Sequence, residues 1–407
     1  MKLSFPRTVF FSALVSRSFA LSSTYSSTAS RYRKFSAGNV VVPGLKNGMD
    51  YVQLGDSDLV VSKVCMGTMT FGEQNTLEEG VEQLTRAFDE FGVNFLDTAE
   101  MYPVPTKATT QGATDKAIKM FLQSRKREDV ILATKVCGRS ERIKWLPRRD
   151  SETPAALTRD QILDSVDASL ERLGTDYIDL LQLHWPDRYV GSMFGSGDFR
   201  PSQYQDNPKP TSFEEQLSAL QELVTTGKVR YVGVSNESAY GVCSMAALTR
   251  QFPELYPKIV SIQNSFSLVV RKDFEAGLGE ACFHHNVGLL AYSPLAAGTL
   301  SGKYRKNVPK GARLTLFPGF MERYLGSSNE EAVNAYCDLA KKADLTPTQL
   351  ALGWCYHNEL VASSIIGATT MDQLEENIQA YDVRLSDDVS KEIEAIYAKY
   401  TDPTKAR

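Results

Sequence analysis

The sequence predicts an α/β protein folded as a closed (β/α)8 TIM barrel, with an N-terminal β-hairpin cap and a disordered N-terminal leader. Three observations carry this expectation. Eight short runs, at 61–67, 93–99, 130–136, 177–185, 229–236, 259–266, 287–295 and 363–369, are continuously apolar, as strands covered on both faces of a parallel sheet are. Helix-patterned stretches separate them, giving the strand–helix repeat of a barrel. No G-x-G-x-x-G follows the first run, which disfavours the runner-up, a doubly wound open sheet.

Residues 1–48 stand apart from the rest. They hold Lys2, Arg7, Arg17, Arg31, Arg33 and Lys34, are rich in serine, and contain no Asp or Glu. Such a segment reads as a targeting leader for an organelle, a chloroplast or a mitochondrion. Its apolar stretch TVFFSALV (8–15) is too short to span a bilayer. A secretory or signal-plus-transit leader is the rival, weakened by Arg17; a plain cytoplasmic tail is the bland alternative. The expected organisation is a leader over 1–48 and one barrel domain over 49–407.

The 407 residues are 42% hydrophobic and 23% charged, ample for one full core. The net charge of −4 and pI near 5.8 argue against a nucleic-acid surface. The cysteines Cys65, Cys137, Cys243, Cys282, Cys337 and Cys355 form no C-x-x-C pair and read as reduced thiols. His284 and His285 lack neighbours at metal-ligand spacing, so no metal site is expected.

After the leader, YVQLGDSDLVVS (51–62) reads as strand, Gly-Asp turn, strand. The stretch 76–92 places Leu77, Val81, Leu84 and Phe88 at helical spacing and closes on Gly92. The stretches 158–174 and 212–228 repeat that pattern. Three long connections, 137–157, 186–211 and 299–327, each follow a strand. In a barrel they lie on the C-terminal face, where active sites are built.

The chemistry gathers at that face. Asp97 ends the second strand run, Tyr102 lies on the loop beyond it, Lys135 ends the third and His184 the fourth. Each has a bland reading alone: a turn cap, a packing phenol, a snorkelling lysine, a core histidine. Their position at corresponding ends of consecutive strands makes a set. A free phenol titrates near pH 10, too high for efficient proton transfer, and a nearby ammonium lowers it. Lys135 supplies the ammonium, and Asp97 is the partner a buried lysine requires. His184 suits hydrogen bonding to a carbonyl oxygen. The set fits carbonyl reduction but holds no hydride, so a cofactor must supply it.

The later strands offer a surface for one. Ser235, Asn236 and Gln263 suit a carboxamide, and Tyr292 suits stacking on a flat ring. SPLAAGTLSGK (293–303) is a small-residue loop that a pyrophosphate approaches closely. Thr370 and Gln373 form a capping-box pattern at a helix start that favours an anion.

The motifs LGDSDLVVSKVCMGTMTFG, FLDTAEMYPVP, LQLHWPDR, GKVRYVGVSNE, SIQNSFSL, AYSPLAAGTLSGKY, GARLTLFPGF and IIGATTMDQLEEN resemble the aldo-keto reductase superfamily. Within it they resemble the Tas-like branch, related to the channel β-subunit-like reductases. The resemblance covers residues from about 50 to 400. It implies a (β/α)8 barrel binding NADP(H) without a Rossmann motif, with Asp97, Tyr102, Lys135 and His184 as the catalytic tetrad. It further implies cofactor contacts from Thr68, Ser235, Asn236, Gln263 and Tyr292 around the nicotinamide. Ser293, Pro294, Leu295, Gly298 and Lys303 would line the pyrophosphate. Arg313, Gly367, Thr369, Gln373, Glu376 and Asn377 would take the adenosine end. Many members carry arginine where Gln373 stands, which leaves Arg313 as the implied partner of a 2′-phosphate. Trp145 and Trp185 are the expected walls of the substrate pocket, and the expected substrate is a small carbonyl compound. The alternative is a regulatory protein that senses the cofactor as the channel β subunits suggest; a complete tetrad favours the reductase. A hydrolase is disfavoured because the rim has no carboxylate pair or metal cluster.

Overall fold

The computed structural model describes residues 48–146, 153–191, 198–205, 209–305 and 309–405. The leader expected over 1–48 lies almost wholly outside them. Strands β1 (Tyr51–Gln53) and β2 (Val60–Ser62) form the antiparallel hairpin, with Tyr51 opposite Ser62. The barrel comprises β3 (Val64–Gly67), β4 (Phe95–Asp97), β5 (Ile131–Val136), β6 (Ile178–Leu183), β7 (Val229–Ser235), β8 (Ile259–Ser265), β9 (Gly288–Tyr292) and β10 (Val361–Ile366). Neighbours pair in parallel and β10 returns to β3, closing the sheet. The apolar run 61–67 is thus two strands. It breaks at Lys63, whose backbone N–H donates to Asp50 at 3.0 Å while its ammonium donates to the Val361 carbonyl at 2.5 Å.

The helices begin and end where their caps dictate. Leu77–Phe91 starts on a reciprocal Thr76–Glu79 box and stops at Gly92, left-handed at φ 72°. Arg159–Leu173 starts on Thr158 and stops at Gly174, φ 64°. Phe213–Thr225 starts on Ser212 but ends short of the expected 228, because Gly227 turns left-handed at φ 76°. Helix Met371–Gln379 is capped by Thr370. The expected box is not reciprocal there, since Gln373 Oε1 accepts from Thr369 N and Oγ1, both at 3.1 Å.

Side chains alternate along a strand, so a barrel interior is layered. Cys65, Phe95, Ala133, Leu180 and Leu290 form one buried apolar cluster with Leu54, Leu59 and Val61 of the hairpin. The hairpin therefore fills the lower end of the barrel. Gly55 permits its close approach: at φ +55° an added Cβ would lie 2.3 Å from the Val260 carbonyl oxygen. Two residues further along three of those strands come Asp97, Lys135 and Gln182, all buried. The period of two thus sets a polar layer directly above an apolar one. Among the described residues no helix is long and apolar enough to cross a membrane. All six cysteines are free thiols, and only Cys243 is exposed.

Candidate active site

Asp97 on β4 pairs in register with Ala133 on β5, and Lys135 follows two residues later on the same face of β5, so its long side chain meets the carboxylate in the polar layer. Both are essentially sealed from solvent, 0% and 2% exposed. Lys135 Nζ lies 2.5 Å from Asp97 Oδ2, donates to the Thr98 carbonyl at 2.8 Å and to Tyr102 Oη at 3.3 Å. All three ammonium protons therefore have acceptors. Tyr102 is held by its own backbone, N–H to the Ala99 carbonyl at 3.0 Å and carbonyl to Gly112 N at 2.9 Å. His184 hangs from β6 by its N–H to the Val136 carbonyl at 2.8 Å. Its ring lies edge-on to Tyr102 with centroids 5.9 Å apart and against Trp185 at 4.9 Å. Its Nδ1 is buried with no hydrogen-bond partner among the described residues.

The electrostatics follow from burial and this geometry. Burial pulls the Lys135 pKa down, but Asp97 and then Tyr102 outweigh it, and the pKa lies above the ordinary lysine value. For Tyr102 burial is the strongest influence and raises its pKa; Lys135 opposes it, Asp97 adds to it, and the net direction is up. The ammonium alone would have lowered it, as expected from the sequence, but desolvation of the phenolate dominates. Tyr102 is a protonated phenol at neutral pH. Burial first, then Lys135, holds His184 well below its usual value, so the imidazole is neutral.

Asp97, Tyr102 and His184 open onto a cavity of about 890 Å³ at the C-terminal ends of the strands, within the usual size range of ligand sites. Every residue named above for the cofactor, from Thr68 and Ser235 to Glu376 and Asn377, lines that same cavity. So does Trp185, whereas Trp145, half-buried on the 137–157 connection, is not among the lining residues. Met69, Met101, Val104, Phe320 and Arg323 line it without any sequence signal having marked them. Gln182 was also missed. Its Nε2 donates to Asp97 Oδ1 at 3.2 Å, beside Gln263 Nε2 at 2.8 Å. A lone amide inside the apolar run LLQL, two residues before His184, was the available clue.

One end of the cavity is cationic and the other is lined by amides and hydroxyls. Lys303 and Arg313 both line it. Burial lowers each pKa, and Arg313 lowers that of Lys303 further. Among the described residues neither forms an ion pair with a carboxylate. Two cations held close together without a counter-charge favour an anion between them. Gly298, left-handed at φ +91°, leaves room that a Cβ would fill 2.9 Å from Lys303 Nζ, so bare backbone and ammonium meet there. At the other end Asn236, at φ 53°, donates through Nδ2 to the His184 carbonyl at 2.9 Å and to Ser235 Oγ at 3.1 Å. Tyr292 donates to its Oδ1 at 2.7 Å. A cationic end and an amide- and hydroxyl-lined end fit a nicotinamide dinucleotide.

A family model described as the aldo/keto reductase family matches residues 63–398. Protein tas of Escherichia coli (strain K12) is 43% identical over 357 residues, covering 87% of this chain and 99% of its own length. A protein named aldo-keto reductase from Babesia bovis is 40% identical over 291 residues, 68% of this chain and 98% of its own.

The buried pair generates a stability prediction. Asp97→Ala strands the Lys135 ammonium in a dry interior and is expected to cost about 3–5 kcal/mol in denaturant unfolding. Adding Lys135→Met should recover part of that loss. A single-variant loss below about 1 kcal/mol would show the pair to be dispensable for folding.

Proposed function

The chain belongs to the aldo/keto reductase family and is an oxidoreductase of its Tas-like branch; from that premise we propose that it reduces aldehydes or ketones to alcohols with NADPH, Tyr102 donating the proton. One observation carries this reading most directly: Lys135 Nζ lies 3.3 Å from Tyr102 Oη and has no lone pair. The ammonium donates to the phenol oxygen, so the phenol's own proton is left to point into the cavity. A carbonyl oxygen placed there takes that proton, and the ammonium stabilises the phenolate as it forms.

NADPH, when bound, supplies the hydride. The protein's part is positioning. Neutral His184 donates a hydrogen bond to the same carbonyl oxygen and fixes its direction. Trp185, Met101 and Phe320 form an apolar wall that excludes water from the reacting carbon. Lys303 and Arg313 hold phosphate groups, and Arg313 stands in for the arginine that many relatives carry at the Gln373 position. Residues 49–407 form the catalytic domain, and residues 1–48 direct it to an organelle and are removed there.

Tyr102→Phe keeps the ring and deletes the proton. It should lower carbonyl-reduction kcat by roughly two to four decades with the NADPH Kd unchanged; near wild-type turnover would rule out this proton donor. Arg313→Ala should weaken NADPH about 10- to 100-fold, the worth of one charge-assisted contact, and leave NADH almost unaffected. Equal losses for the two nucleotides would remove Arg313 from the 2′-phosphate. Mass spectrometry of the protein isolated from its own cells should find an N-terminus near residue 49, and an intact Met1 would refute the leader.

A further inference from the structure

The carboxylate of Asp97 only accepts hydrogen bonds, and that fact orients two buried amides. Gln182 Nε2, 3.2 Å from Asp97 Oδ1, must be its donor end. The carbonyl end of Gln182 is then Oε1, and it accepts from Gln263 Nε2 at 3.1 Å. Gln263 Nε2 also donates to Asp97 Oδ1 at 2.8 Å. Both protons of the Gln263 amide are therefore used inside the barrel. What Gln263 offers to the cavity it lines is its carbonyl oxygen. Gln182 is itself completely buried, on β6 in register with Lys135 and with Gly233 of β7. A Cβ on Gly233 would lie 3.4 Å from Gln182 Cγ, so the amide is confined on that side as well.

The neighbouring groups are committed in the same sense. Ser235 Oγ donates to the Gln263 backbone carbonyl at 2.8 Å. Both protons of the Asn236 amide go to the His184 carbonyl and to Ser235 Oγ. The side chains expected to hold a carboxamide thus have their donors occupied by the protein. They keep acceptor capacity: Gln263 Oε1, the second lone pair of Asn236 Oδ1 and a lone pair of Ser235 Oγ. The sequence named three amide or hydroxyl groups without direction; the folded chain gives them one polarity.

We propose that Gln182 is a positioning residue that holds the Gln263 amide with its oxygen toward the cavity, so that the nicotinamide pocket accepts a carboxamide N–H and rejects a carboxylate in the same place. This rests on the reading of the cavity as an NADPH site. Asp97 is the shared anchor: the carboxylate that keeps Lys135 charged also sets which end of Gln263 the cofactor meets.

Calorimetric titration of the full chain with two nucleotides tests this without turnover. One is NADPH and the other its analogue with a carboxylate in place of the nicotinamide carboxamide. The wild-type protein should bind the analogue at least about tenfold more weakly, because acceptor oxygens repel an anion. Gln182→Leu deletes the acceptor of one Gln263 N–H while Asp97 keeps the other, so the freed proton is available to the cavity and the ratio of the two Kd values should fall at least about threefold. A purely structural role would weaken both nucleotides alike and leave the ratio unchanged, which would overturn the proposal. Gln182→Met, with an unbranched chain of similar length, replaces leucine if that variant does not melt cooperatively, and the wild-type ratio tests the orientation with no variant at all. Equal binding of both nucleotides by the wild-type protein overturns this inference alone. Binding of neither overturns the cofactor reading together with it.

Discussion

An ammonium and a carboxylate 2.5 Å apart inside a dry barrel are the constraint to which the rest of the site conforms. Placing either ion there alone is strongly unfavourable, and together they remain costly unless their other hydrogen-bonding positions are filled. The molecule fills them. Lys135 gives its two further protons to Thr98 and Tyr102, and Asp97 accepts amide protons from Gln182 and Gln263. Satisfying the pair thereby fixes a phenol on one side and two amides on the other. The geometry of the site and folding stability are in this sense the same set of bonds.

The remainder of the cavity follows a different logic. Burial lowers the tendency of both Lys303 and Arg313 to be charged, Arg313 lowers that of Lys303 further, and neither has a carboxylate partner among the described residues. The connection that supplies Arg313 and Phe320 has short helical turns, Arg313–Leu316 and Glu322–Tyr324. Met321 between them sits in the left-handed region at φ 59°, unusual for a side chain of its size. The polar layer is held by bonds between different strands that are mutually required; the upper wall is shaped by a loop whose hydrogen bonds run mostly between near neighbours in the chain.

Much of this was legible in the sequence, for identifiable reasons. Continuous apolar runs are what two-sided burial demands, so the strand ends and the residues standing on them could be located. The tetrad positions follow from those ends. Three things were hidden. The break at Lys63 is invisible because the residues on both sides are apolar; only the pairing of Ser62 with Tyr51 and of Val64 with β10 reveals it. The direction of the Tyr102 shift depends on how deeply the phenol is buried, which no spacing conveys. Gln182 was concealed by its apolar neighbours, and the polarity of Gln263 by the fact that an amide's two ends share one letter. Trp145 was misplaced because loop residues between fixed strands have no register to constrain them.

Leu54, Leu59 and Val61 give the barrel a floor. A vessel closed below is filled and emptied from above, so the cavity that Gln263 and Tyr292 line is reached from the C-terminal ends of the strands. The hairpin, which lines none of that cavity, in this way decides the end of the barrel at which traffic takes place.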